Sequence, residues 1–156
     1  MREFLSERSA KSRNLDDAIV CLGAGISCKD GTVVESTVDN RNLGPTGSAA
    51  LTVDGTVQPL AHPWSATLTG ASWAHLAGHG GYVFPGRATV RAGREERTGR
   101  WSDINKGSST TPVSRRYLTL WADHGTNPSG AGCAYVLMPG VRPPTGPRPA
   151  PPTPAG

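Results

Sequence analysis

Apolar positions in this chain fall into short blocks separated by turn residues, a pattern that predicts strands. Ala18-Ile19-Val20-Cys21-Leu22 is an unbroken block, which suits a strand covered on both faces. Gly23 and Gly25 then leave little side-chain bulk, as where another strand or loop crosses closely. Asp30-Gly31 has the positive-φ chemistry of a tight turn. From Thr32 to Val38 the chain returns with Val34 and Val38 on one face and Val33, Glu35 and Thr37 on the other. Asp16 to Arg41 therefore reads as a hairpin buried on both faces, and as the neighbour that later strands need.

A second Asp-Gly pair, Asp54-Gly55, joins Leu51-Thr52-Val53 to Thr56-Val57 as a shorter hairpin. Pro59 to Gly81 mixes Pro, Ser and Gly with Trp64 and Trp73 and reads as loop with short strands. Gly81 to Phe84 resumes a strand that Pro85 ends, and Ala88 to Arg91 is a brief strand. Arg94-Glu95-Glu96-Arg97 is a charged turn, and Trp101 and Ile104 anchor a loop crossing the sheet. Val113 to Ala122 is a central strand, with Tyr117, Thr119 and Trp121 on one face and Leu118, Leu120 and Ala122 on the other. His124 to Gly130 is a turn cluster, and Cys133 to Met138 is a two-faced strand closed by Pro139-Gly140. The expected organisation is a loose leader over residues 1–15, one folded domain over 16–140, and a Pro-rich extended or disordered tail over 141–156.

Composition strengthens the all-β reading. The 156 residues suit one domain with a core, and 20 Gly with 14 Pro make turns frequent and long helices scarce. The formal net charge of +4 comes largely from arginines such as Arg87, Arg91, Arg94, Arg97, Arg100, Arg115 and Arg116. Such a surface is either a solvated face or one that favours acidic partners. No basic helix, zinc-ligand spacing or aromatic-studded RNA motif accompanies it, so no nucleic acid partner is predicted.

Cys21, Cys28 and Cys133 show no C-x-x-C spacing and imply no disulfide framework. His75 and His79 are four residues apart, but Gly78, Gly80 and Gly81 argue against the helix that would bring them together on a metal. The charged start lacks the apolar stretch of a secretory signal, and no run reaches the length of a membrane span, so no membrane partner is predicted.

Read together, the blocks DDAIVCLGAGI, VESTVDNR, LTVDG, WAHLAGHGGYVFPG, RTGRWSDIN and TTPVSRRYLTLWADHGTNPSGAGCAYVLMPG resemble polysaccharide lyase family 8, the hyaluronate, chondroitin and xanthan lyases. Several separate blocks occur in one order from about Asp16 to Gly140. The resemblance implies an antiparallel β-sandwich, the C-terminal part of the central β super-sandwich. It also implies cleavage of uronic-acid-containing polysaccharides by β-elimination: a base takes the C5 proton, the C4 oxygen departs with a proton from an acid, and an unsaturated sugar results. The family draws its Asn, His, Tyr and Arg from an α/α toroid, and a Glu and an Asn from the earliest sandwich strands. None of those motifs occurs here, so no catalytic residue is predicted, His124 and Tyr117 included, and no substrate-binding residue is assigned. The departures before Asp16 and after Gly140 add the expectation of a fragment, inactive alone, whose parent is extracellular and contacts acidic polysaccharide.

Asp16-Asp17 is the one metal expectation that the resemblance implies. Xanthan lyase-like members have paired Asp at this point, where calcium can be bound with a distant Glu, and paired carboxylates suit a hard cation. No other cofactor is expected. The alternative reading is a stand-alone carbohydrate-binding module, with Trp64, Trp73, Trp101 and Trp121 offering flat faces to sugar rings and arginines meeting carboxylates.

Overall fold

A computed structural model describes residues 11–15 and 17–141, the first five by backbone alone. The strands are β1 (Lys11–Leu15), β2 (Ala18–Ile26), β3 (Val33–Asn42), β4 (Leu51–Val53), β5 (Thr56–Val57), β6 (Trp64–Leu76), β7 (Gly80–Gly99), β8 (Val113–Thr126) and β9 (Ala131–Pro139). A single 3-10 turn, Trp101–Asp103, is the helical content of the described residues. Among the described residues no helix is long and apolar enough to cross a membrane. The strands pair antiparallel throughout, as an all-β antiparallel fold requires.

The 20-residue β7 organises the sheet. β6 lies along one side of it, from Trp64 opposite Arg94 to Leu76 opposite Gly80. Its other side is divided: Gly80 to Val83 pair with β9, whereas Arg91 to Gly99 pair with β8. β9 leads on to β2 and β1, and β8 leads to β3. One ribbon thus feeds two leaves that close over a shared core. At the division Ala71 opposes Ala88 while Trp73 opposes Val83, so β7 carries extra residues that bulge out. Gly86 and Arg87 sit there with φ of 78° and 61°.

Both leaves and the ribbon contribute to the core: Val38, Leu118 and Leu120 from β3 and β8, the partly buried Tyr135 and Leu137 from β9, Leu76, Tyr82, Phe84 and Val90 from the ribbon, and Leu51 from β4. Burying each of the leucines stabilises the fold by about 1.5–3 kcal/mol.

Several expectations are corrected by this topology. Asp16 to Arg41 is not a hairpin: β2 pairs with β1 and β9, and β3 pairs with β8. Gly31 does take a positive φ of 84°, but the Asp30 carboxylate accepts bonds from the Thr32 amide, the Thr32 hydroxyl and the Cys28 thiol, which holds an open connection. That connection crosses from one leaf to the other beside the β8–β9 connection, through Cys28 N–H to Pro128 O (2.9 Å), Gly31 N–H to Asn127 Oδ1 (2.8 Å) and Gly130 N–H to Ser27 Oγ (2.9 Å). Nor is the segment covered on both faces, since Leu22 is 49% exposed and Val33 57%.

Residues 11–15 form a strand on β2 rather than a loose leader. The Pro-rich tail beyond Val141 and the first ten residues lie outside the described residues. Trp64 to Leu76 is a 13-residue strand rather than loop, because pairing with β7 along its length, and with β4 at Ala74 to Leu76, outweighs its modest β propensity. Pro85 does not end a strand; it sits in the bulge, where no ladder bond is required of it. Arg94 to Arg97 continue β7, and Arg94 is buried, not solvated. Trp101 and Ile104 anchor nothing, being 60% and 78% exposed. β8 runs on through His124 to Thr126. The Asp54-Gly55 hairpin, the two faces of β8 and the strand before Pro139 match the pattern reading.

Buried Arg94 holds the loop after β3. Its guanidinium donates to Gly47 O (3.3 Å) and Ala49 O (2.8 Å), while its Nε has no partner among the described residues. Arg116 donates to Thr46 O at 2.8 Å and to Glu96 at 3.2 Å. Gly47 fits between these groups at φ 64°, and a Cβ there would lie 2.7 Å from Arg116 Cδ and 2.8 Å from His62 Cε1. Gly47→Ala combines left-handed backbone strain with overpacking and should cost about 2–4 kcal/mol in urea unfolding. A cost below the error of that measurement would show that the loop yields freely.

Candidate functional site

One face of β3, β8, β7 and β6 sets Trp121 and Tyr117 in register with polar and charged groups. Thr37, Trp121, Arg91 and Thr67 form one row; Asn40, Thr119, Gly93 and Ser65 form the next; Asn42, Tyr117 and Glu95 the third. Gly93 permits this arrangement, because the Trp121 ring lies 3.4–3.5 Å from the place a Cβ would occupy. Arg91 donates to Asp123 at 2.7 Å. Arg97 stacks 4.1 Å over the Tyr117 ring and also pairs with Glu95. Asn42 donates to the Tyr117 hydroxyl at 3.4 Å. Such a face can bind a flat polar ligand by stacking and hydrogen bonds. It holds no paired acid and base poised for proton transfer.

Between the leaves lies a second polar group. Tyr82 of β7 donates to Asp39 of β3 at 2.6 Å, and Arg41 donates to the same carboxylate at 2.8 Å. The bulge in β3 near Val38 lets both Val38 and Asp39 turn inward. Tyr135 of β9 donates to Thr37 O at 3.3 Å. Burial, and then the Asp39 carboxylate, push the Tyr82 hydroxyl well above its ordinary range; burial does the same for Tyr135. His124 bonds Ser36 Oγ through Nε2 at 2.8 Å, and burial holds its imidazole below the usual histidine value.

The sequence-predicted positions are dispersed. Asp17 is exposed in the short connection between β1 and β2, and Asp16 lies outside the described residues. Among the described residues no three His, Cys, Asp or Glu side chains converge, so Asp17 by itself falls well short of the six to eight oxygens that calcium takes. Of the four tryptophans, Trp101 alone is exposed; Trp64 packs against the core, and Trp73 and Trp121 are half-buried. His75 bonds Val141 O at 3.0 Å, a structural use. The Tyr82–Asp39–Arg41 group had no sequence signal, because the residues lie on strands brought together only by the closing leaves.

A family model described as polysaccharide lyase family 8, super-sandwich domain, matches residues 10–146. This chain belongs to polysaccharide lyase family 8. It is 53% identical over 127 residues to a hyaluronate lyase of Thermasporomyces composti, which covers 81% of this chain and 16% of that protein. It is 48% identical over 132 residues to the xanthan lyase of Bacillus sp. (strain GL1), covering 80% and 14%. Among solved structures, a Paenibacillus xanthan lyase superposes with a TM-score of 0.75 at 43% identity, over 81% of this chain and 13% of that one. The Streptomyces coelicolor chondroitin AC lyase in complex with chondroitin sulphate gives 0.65 at 50% identity, over 84% and 15%. The chain therefore spans only a small share of the length of these relatives. The expected family and the all-β sandwich architecture are both met.

Two measurements check the polar groups. Tyr82→Phe removes one partner of a part-buried carboxylate and should cost about 1–3 kcal/mol. The raised Tyr82 value places its contribution fully below the unfolded tyrosine value near 10, to be lost as pH climbs above it, so Tyr82→Phe should show a shallower alkaline decline. An unchanged alkaline limb would discount the Asp39 bond. His124 has the opposite sign: its lowered value gives stability that is full above about 6.5 and declines as pH falls, and His124→Gln should blunt that decline in acid melts.

Proposed function

We propose that this chain is super-sandwich scaffold of a polysaccharide lyase that cleaves uronic-acid-containing polysaccharides of hyaluronan, chondroitin or xanthan type by β-elimination. The observation that carries the reading is the family match over residues 10–146, joined to the two-leaf sheet that superposes on xanthan and chondroitin lyases. Elimination needs a group to neutralise the uronate carboxylate, a base for the C5 proton and an acid for the departing C4 oxygen. The described residues present no such trio, which favours catalytic groups carried outside this sandwich, on an α/α toroid. The role left to this chain is to hold its sheet rigid beside them and to meet the acidic polymer through basic and aromatic surface. An extracellular site of action belongs to the same reading, because these polymers lie outside cells.

A chimera tests it. Residues 17–141 replace the corresponding segment of the Thermasporomyces hyaluronate lyase, and the unsaturated product is followed by ultraviolet absorbance. The expected result is elimination by the chimera on at least one of the three polysaccharides and none by the 156-residue chain alone. A folded chimera inactive on all three would overturn the scaffold role, and turnover by the chain alone would place the chemistry within it.

A further inference from the structure

Opposed residues in a ladder share a face, so the registers of β2, β9, β7, β6 and β4 sort this leaf into two sides. One row, Leu137, Tyr82, Ala74 and Val53, turns into the core, the last three at 3%, 2% and 7% exposure. The neighbouring row, Val20, Val136, Val83 and Trp73, points the other way and is just as apolar. Leu22 and Ala134 flank it on one side, Ala18 and Met138 on the other. These rows carry no carboxylate, ammonium or guanidinium group. Yet Leu22 is 49% exposed and Val83 36%, and Trp73, Val136 and Met138 are partly exposed. An antiparallel sheet with one wet side alternates apolar and polar residues, whereas apolar rows on both sides are the pattern of a sheet covered twice.

One end of this outward side is covered. His75, two residues along β6 from Trp73, is 8% exposed because Val141 folds back on it: the ring Nε2 lies 3.0 Å from Val141 O, and the Val141 amide reaches Met138 O at 3.4 Å. The backbone thus leaves the sheet over this face, and the family match continues past it to residue 146. In plan the face spans about 24 Å from β2 to β5 and about 14 Å from Leu22 to Ala18, roughly 300 Å². That falls short of the roughly 800 Å² a side that a stable dimer buries, so a second copy is a poor occupant. A layer tethered in the same polypeptide escapes most of the association cost. The hyaluronate and xanthan lyases have chain to supply one, since the matched sandwich is 16% and 14% of them.

We propose that the outward face of β2, β9, β7 and β6 is a docking surface for a second apolar layer of the same lyase polypeptide, with Val83, Val136 and Trp73 at its centre. The identity of the occupant rests on the scaffold reading above; the apolar face itself does not.

Val83→Lys and Val136→Lys test it, each made in the 156-residue chain and at the corresponding position of the Thermasporomyces hyaluronate lyase. In the chain alone a lysine there extends into water, so the melting temperature should stay within about 2 °C while the fluorescence of added Nile red, a neutral dye for apolar surface, falls at least about twofold. In the lyase the same lysine is buried without a partner and should lower the melting temperature by about 5 °C or more. Equal shifts in the two proteins, or dye fluorescence indifferent to both lysines, would overturn the docking face. Sedimentation of the chain at rising concentration should show a monomer throughout; a dimer abolished by Val83→Lys would assign the face to a second copy and overturn the tethered layer. The shifts are read without turnover, so an inactive chimera beside a lysine-sensitive lyase defeats the part in catalysis and leaves the docking face standing, while an active chimera with equal shifts defeats the face alone.

Discussion

The structure depends on one constraint: a strand longer than any of its partners must have its backbone groups satisfied along its whole length. β7 meets it by keeping β6 on one side from Gly80 to Arg94 and exchanging β9 for β8 on the other, with β8 alone beyond Arg94. A straight strand cannot serve two leaves at once, so extra residues are inserted where the exchange occurs, and Pro85, which has no amide hydrogen to donate, falls within them. The bend that results turns the leaves over each other, so that side chains from both meet in one core.

Closing the leaves has polar consequences. Tyr82 reaches a carboxylate on β3, a strand to which β7 is not paired, and Tyr135 reaches a backbone carbonyl there. Arg94, buried beneath the loop after β3, ends on carbonyls rather than on a carboxylate, so burial lowers its affinity for its proton. These groups tie loop, ribbon and leaf into one register. They serve stability and specificity of packing.

The chain belongs to polysaccharide lyase family 8 through its super-sandwich domain. A sandwich that shares 53% identity with a hyaluronate lyase and 48% with a xanthan lyase keeps its architecture while those proteins carry different names. On the outer face Trp121 lies across Gly93 and Arg97 stacks over Tyr117.

What the sequence by itself determined was local and periodic. The two-residue alternation of Val113 to Ala122 put Leu118 and Leu120 inside, and Asp54-Gly55 specified its hairpin, because side-chain direction and turn φ depend on neighbours a few residues away. The ordered blocks also disclosed the family. Only the tertiary structure decided which strands pair: Ala18 to Ile26 and Val33 to Asn42 look like natural hairpin partners, yet each pairs with other strands because their connection crosses between leaves. It likewise turned Arg94 from a surface charge into a buried one. Long-range pairing draws on hydrogen bonds that every residue type can make, so sequence chemistry carries little record of it until the chain is closed.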